Sequence, residues 1–489
     1  MNRMPFEFID NNAALSPAAR RRIRSHAATG KNAGKTIRRR SKKSALSGRI
    51  RTEFRIQDAT RLQSDARPDS EVTKELAPKI EGQVGDALST LFFPVHVPPE
   101  NRPVVKRGIS FFLGVRYVPE VRAAFDRGNR SPSMWIQLMF VDAAYFHIAM
   151  AVSIASINKL ALVAGNADRE MYHLGHTLCL VNQRLSGTEA TCDATLAAVA
   201  MMAQYERHQG RHAQGLLHLD GLYRLVNLRG GIRELLRENI TLAQKIVRLD
   251  LEYAFETGSR TKFRMDDVVH SRASALQLRE RLNVEYHHQI PHFLRFRELC
   301  PELLDIAVDM TTLSWIYSDA ILGRRPRVPM LEGCMALWEL GYRLLHFRPL
   351  PEPRPVTAAE NTVHLGLLMF TVPFLHKLDG QIPDCPLLYE RAHLAAERYV
   401  EVADNATDLV VLLWMLLVGA SSAFSYPHDM RIVWIVGRLV RKLQLETWED
   451  LTEVVAGFPW VDALFTKSGQ SLFHAATAFL TGHQIDDSV

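Results

Sequence analysis

The sequence predicts an all-α protein: a large single helical domain over 87–489, preceded by a disordered basic N-terminal region over 1–86. Three observations carry this. From Ser131 onward apolar residues recur at helical spacing, and sustained strand alternation is hard to find. The periodic stretches stop at glycines and prolines placed as helix caps and breakers. Between Arg20 and Arg51 there are thirteen Lys or Arg and no Asp or Glu, a composition that buries too little apolar surface to fold alone.

The first residues hold a small aromatic patch, Phe6 and Phe8. The basic arm, 20–51, follows with two dense clusters, Arg20, Arg21, Arg22 and Arg24, then Arg38, Arg39, Arg40, Lys42 and Lys43. These are the residues expected to meet a nuclear import receptor or nucleic-acid phosphates. The rest of the chain carries 46 basic against 53 acidic residues, so the positive surplus belongs to the arm. A polar segment of mixed charge leads to Asp86, and the character changes at Ala87 with Leu91, Phe92, Phe93 and Val95 among several prolines.

Helical patterning then takes over. Trp135, Leu138, Met139, Asp142, Tyr145 and Phe146 share one face, with one acid among apolar residues. Leu216, Leu219, Leu222, Leu225 and Val226 form a second stripe that stops at Gly230-Gly231. Leu242, Ile246, Leu249 and Tyr253 form a third, which stops at Gly258. The proline-rich stretches Gly323–Pro329 and Arg348–Pro355 read as loops. Leu409–Ala420 is apolar on every side; twelve residues are too few for a bilayer and suit a central helix, with Trp414 in the core. Thr447 caps a late helix and Asp450 completes a capping box, with Phe458-Pro459-Trp460 closing it.

The motifs that carry catalytic or metal chemistry do not form. Gly30 and Gly34 are separated by three residues where a phosphate-binding loop needs four. The pairs His208/His212 and His288/His292 lack a third ligand and a general base between them, and read as core or surface histidines, as do His173 and His176 in Tyr172–His176. The five cysteines are scattered, without CxxC spacing. No nucleophile elbow occurs, since Gly419–Ala423 lacks its closing glycine. No metal, cofactor or catalytic residue is therefore expected, and no membrane segment. Asp250 sits at the edge of an apolar face, where an unpaired charge is costly, and Arg229 at the end of the preceding helix is its expected partner in a structural ion pair.

Several stretches together resemble one family. They are His218–Leu222 running to Leu228–Ile232, then Asp250 and Gly258, then Leu412–Leu416 with Gly419, and Thr447–Leu451 with Phe458-Pro459-Trp460. This resembles the fungal-specific transcription factor domain found downstream of zinc binuclear cluster DNA-binding domains. The opening Phe6–Asp10 followed by Arg24–Ala27 is similar to a branch of that family. The resemblance implies an all-helical regulatory domain in a nuclear protein. It departs from the family pattern: a binuclear zinc cluster needs six closely spaced cysteines ahead of the domain, and no cysteine precedes Cys179; the coiled-coil dimerisation segment that often follows the cluster is absent too. The expectation is a nuclear transcriptional regulator or co-regulator without its own zinc cluster, not an enzyme, with ties to secondary-metabolism gene clusters. Its expected partners are an import receptor, another transcription factor and, weakly and without sequence preference, nucleic acid. The alternatives are a nuclear interaction scaffold that does not act on DNA, and an α-helical enzyme.

Overall fold

Helices joined by short turns account for most of the described residues, because the apolar stripes of the sequence have a period that only helices can bury against one another. The computed structural model describes residues 92–98, 101–114, 119–126, 134–161, 167–268, 299–353, 357–375, 381–402, 405–422 and 429–483, all within one compact unit, 82–489. The expected arm cations, Arg20 to Arg24 and Arg38 to Lys43, lie outside the described residues, as does the pair His288/His292.

The first group of helices is α1 Arg102–Gly114, α2 Met134–Val141, α3 Ala143–Ala161, α4 Ala167–Leu185, α5 Asp193–His208, α6 His212–Leu228, α7 Ile232–Glu238, α8 Ile240–Thr257 and α9 Met265–Val268. The second is α10 Pro301–Ile321, α11 Met330–Phe347, α12 Ala358–Thr371, α13 Pro386–Val402, α14 Ala406–Gly419, α15 Met430–Lys442, α16 Trp448–Val455 and α17 Asp462–His483. Two short strands, β1 Phe125–Asp126 and β2 Val328–Pro329, pair in parallel and join the groups. In the first group α3 packs on α1, α4 and α5, and α5 on α6. In the second, α12 packs on α14 and α15 on α17. Helix α8 connects them, touching α5 on one side and α11 and α13 on the other.

The first stripe read from the sequence does not form one helix. The chain breaks at Asp142, and α2 and α3 meet at a bend of 113°. Asp142 Oδ1 accepts the Tyr145 N–H at 2.8 Å, capping α3, while Oδ2 pairs with Arg184 of α4 at 2.7 Å. Periodicity alone cannot show this, since a capping carboxylate occupies the same face as the core residues. Among the described residues, no single helix is long and apolar enough to cross a membrane.

Other signals form as read. Gly230 (φ 111°) and Gly231 (φ 94°) end α6, with the Gly231 N–H donating to Val226 O at 2.9 Å and the Gly230 N–H to Asn227 O at 3.1 Å. That is the double carbonyl closure which positive φ makes available to glycine. Gly258 ends α8 in the left-handed conformation, and Thr447 and Asp450 form the reciprocal capping box of α16.

Helix α14 is enclosed by neighbours: Leu409 and Val411–Gly419 are buried. Trp414 is fully buried, stacks on Phe458 at 5.3 Å and donates its indole N–H to Pro459 O at 3.0 Å. The indole reaches α12 where Gly366 leaves room; a Cβ there would lie 2.3 Å from the ring. Trp414→Ala should destabilise by about 3–5 kcal/mol, the range for large core truncations. Urea denaturation measures this, and an unchanged midpoint would contradict the packing.

Candidate functional site

The most concentrated chemistry in the described residues is a set of charges inside the α5–α8 contact. Helix α8 places Arg248, Glu252 and Glu256 at four-residue intervals, so they line one face. The last turn of α5 presents Arg207 to that face. Arg207 is fully buried; Nη1 lies 3.1 Å from Glu252, Nη2 lies 2.9 Å from Glu256, and Nε donates to Glu256 at 2.9 Å. Nη2 also donates to Leu375 O at 3.3 Å, beyond α12. Glu252 takes a second cation, Arg248, at 2.7 Å, and Glu256 takes His212 at 3.1 Å. Gln204 completes the ring when its amide oxygen faces Arg207 Nη1 (3.1 Å) and its nitrogen faces Glu252 (3.3 Å).

Burial pulls the Arg207 pKa down, but the carboxylates of Glu252 and Glu256 outweigh it and hold the guanidinium above its ordinary value. One turn before Arg248, burial draws the Lys245 ammonium down to about 8 against the attraction of Glu252, with Arg248 and Arg207 adding to the depression. Tyr253 extends the network: its hydroxyl donates to Ala203 O at 2.7 Å and fills the space over Gly215 of α6, where a Cβ would sit 1.7 Å from the oxygen. Burial raises the Tyr253 pKa, so the phenol stays a donor.

The expected Arg229–Asp250 pair does not form. Arg229 follows the last residue of α6, where the glycine turn points it at the surface to bond Asp193, Glu238 (2.8 Å) and Thr191 O (3.3 Å). Asp250 points the other way, toward α11. It accepts the Tyr342 hydroxyl at 2.6 Å and the backbone N–H groups of Lys262 (2.8 and 2.9 Å) and Phe263 (3.1 Å). Burial pushes its carboxyl up to about 6, against the pull of those donors. Asp250 is buried as the sequence suggests, but neutral donors satisfy it and no cation is needed.

The histidines separate likewise. His208 meets Ser156 at 3.2 Å while His212 meets Glu256, so they share no site. His173 and His176 instead gather with His147 of α3. The His147 and His173 Nδ1 atoms are 2.9 Å apart, and His147 stacks on His176 at 4.8 Å. Tyr172 and Phe146 border the cluster. Among the described residues no group of three or more His, Cys, Asp or Glu has the geometry to hold a metal ion. Burial, helped by His176, pushes His147 down to about 4, and burial with His147 and His176 does the same to His173.

Residues 125–269, from β1 through α9, match the model of the fungal specific transcription factor domain. Comparison with curated proteins and with solved structures finds no match. The family segment contains Arg207, Glu252, Glu256 and Asp250, whereas Leu375 and Tyr342, which bond to Arg207 and Asp250, lie outside it. The buried network thus ties the family segment to the second group of helices.

Two outcomes test this account. Arg207→Met removes the cation that Glu252 and Glu256 share, leaving Glu252 with Arg248 and Glu256 with His212, and should cost up to about 3–5 kcal/mol, whereas the triple change with Glu252→Gln and Glu256→Gln should be milder; chemical denaturation of both variants decides. The histidines give a pH dependence. In the unfolded chain both titrate near 6.5, so between about 6.5 and 4 the unfolded state binds more protons. Their stabilising contribution is complete above about 6.5 and is lost as pH falls toward 4. The loss by pH 5 should be about 2 kcal/mol per imidazole, and His173→Gln should flatten the stability–pH curve over this window.

Proposed function

We propose that the protein is a nuclear regulator of transcription that acts through its helical domain on a partner transcription factor. The single observation that carries this is the family match over 125–269; a role in transcription regulation follows from the family, and the family points away from catalysis. The nuclear location, the co-regulator mode and a link to secondary-metabolism genes are the finer parts of the proposal. Two features of the sequence support them. The basic clusters between Arg20 and Lys43 suit import and phosphate contact, and in this sequence the residues ahead of Cys179 contain no cysteine. Sequence readout needs side chains held rigidly at base edges, so on this reading the partner supplies it.

Chromatin recovery of the full chain and of a chain without 1–55 tests the proposal. Recovery should fall with the arm removed and fall further when the partner is absent. In vitro the full chain should bind random and promoter duplexes equally, with a salt slope equal to roughly five to eight phosphate contacts at about 0.9 each. Strong promoter discrimination by the protein alone would contradict it.

A further inference from the structure

Helix α15 carries a feature that the buried network does not use. Its thirteen residues, MRIVWIVGRLVRK, contain four Arg or Lys and no Asp or Glu. At about 100° per residue, Met430, Arg431, Trp434, Arg438, Arg441 and Lys442 fall within one arc of roughly 120°. The opposite arc, Ile432, Val433, Ile435, Val436, Leu439 and Val440, is buried, and the helix packs against α13, α14 and α17. Met430 is 54% exposed and Trp434 is 42% exposed. The Arg438 guanidinium lies over the Trp434 ring at 4.9 Å. Arg431 pairs with Glu397 of α13 at 3.3 Å, but among the described residues neither Arg438 nor Arg441 has a carboxylate partner. This cationic face stands on a chain that, outside the arm, holds more acidic than basic residues.

We propose that this face of α15 is a docking site for an acidic segment of a partner protein that also carries leucine or aromatic side chains. The argument is one of complementarity and rests on the face itself, not on the regulatory reading. The face is about 18 Å long, enough for some three turns of a partner helix. Arg438 and Arg441 flank Trp434 at the next two turns, so carboxylates on the partner find cations on the C-terminal side of an apolar platform. Arginine-stacked indoles and methionine are enriched in protein interfaces, the indole because it buries a large rigid area and methionine because it adapts to irregular surfaces. Duplex DNA would use the cations but leave Trp434 and Met430 without apolar contact, which favours a peptide.

The test uses the full chain and three probes: a 14-residue peptide with Asp and Glu on one helical face and Leu and Phe on the other, a peptide of equal charge without apolar residues, and a 20-base-pair duplex. The basic arm is identical in every variant, so its binding to these anions is a constant background. Anisotropy gives affinities, and a benzophenone on the amphipathic peptide reports where it sits. Photoadducts should form on Met430 and its neighbours in α15. Arg438→Glu/Arg441→Glu should abolish those adducts and weaken that peptide at least tenfold. Trp434→Ala should weaken it at least threefold without affecting the apolar-free peptide. Unchanged thermal midpoints show that these replacements leave the fold intact. Adducts confined to other segments, or adducts on α15 that survive both variants, overturn the proposal. So does a pattern in which the variants weaken the duplex and leave the peptide unchanged, which would make the face a nucleic-acid surface.

Discussion

A guanidinium removed from water costs several kcal/mol before any partner compensates it. Arg207 is in that position, and much of the fold's geometry can be traced to what it requires. Two glutamates one turn apart satisfy it only if α8 presents a single rotational setting to α5. That setting also turns Leu242, Ile246 and Leu249 into the core, sends the Tyr253 hydroxyl across to Ala203 over Gly215, and aims Asp250 at Tyr342 of α11. An apolar interface would tolerate small rotations of α8. Bonds from both Arg207 terminal nitrogens and from Nε do not, so the charges act as a register for the helix.

The same bonds link parts of the chain far apart in sequence. Arg207 reaches Leu375, 168 residues away, and Asp250 reaches Tyr342, 92 residues away. The family segment is therefore not an isolated module carried by an unrelated remainder. Its most polar contacts are completed by residues from the second group of helices, so anything that shifts α11 or the end of α12 is felt at the centre of the α5–α8 contact.

The helical class, the glycine stops and the enclosed α14 were legible because each is a local signal: a period of apolar residues, a Gly-Gly after a stripe, a run with no polar face. Buried polar partners were not. Asp250 could be seen as buried, but its donors, the N–H groups of Lys262 and Phe263 and the Tyr342 hydroxyl, come from a loop and a distant helix, and nothing in the sequence links them. Arg229 stands at the end of the preceding helix, but the turn there carries it to Asp193 and Glu238 instead. Half of the Arg207 network's signal is present in the sequence: Arg248, Glu252 and Glu256 are spaced for one face of α8. Spacing of that kind is usually read as a solvated face. Only the approach of α5 shows that it is not. His147 was likewise too distant in sequence to be grouped with His173 and His176.

The break at Asp142 has a further consequence during synthesis. The stretch from Met134 to Lys159 has, by length and composition, the character of a membrane span. A translocon reads a nascent segment before tertiary structure exists, so the 113° bend cannot protect it. The carboxylate can: an aspartate within an apolar stretch opposes its insertion into hydrocarbon. The side chain that caps α3 and holds Arg184 is thus also a charge that opposes transfer of this apolar stretch into a bilayer.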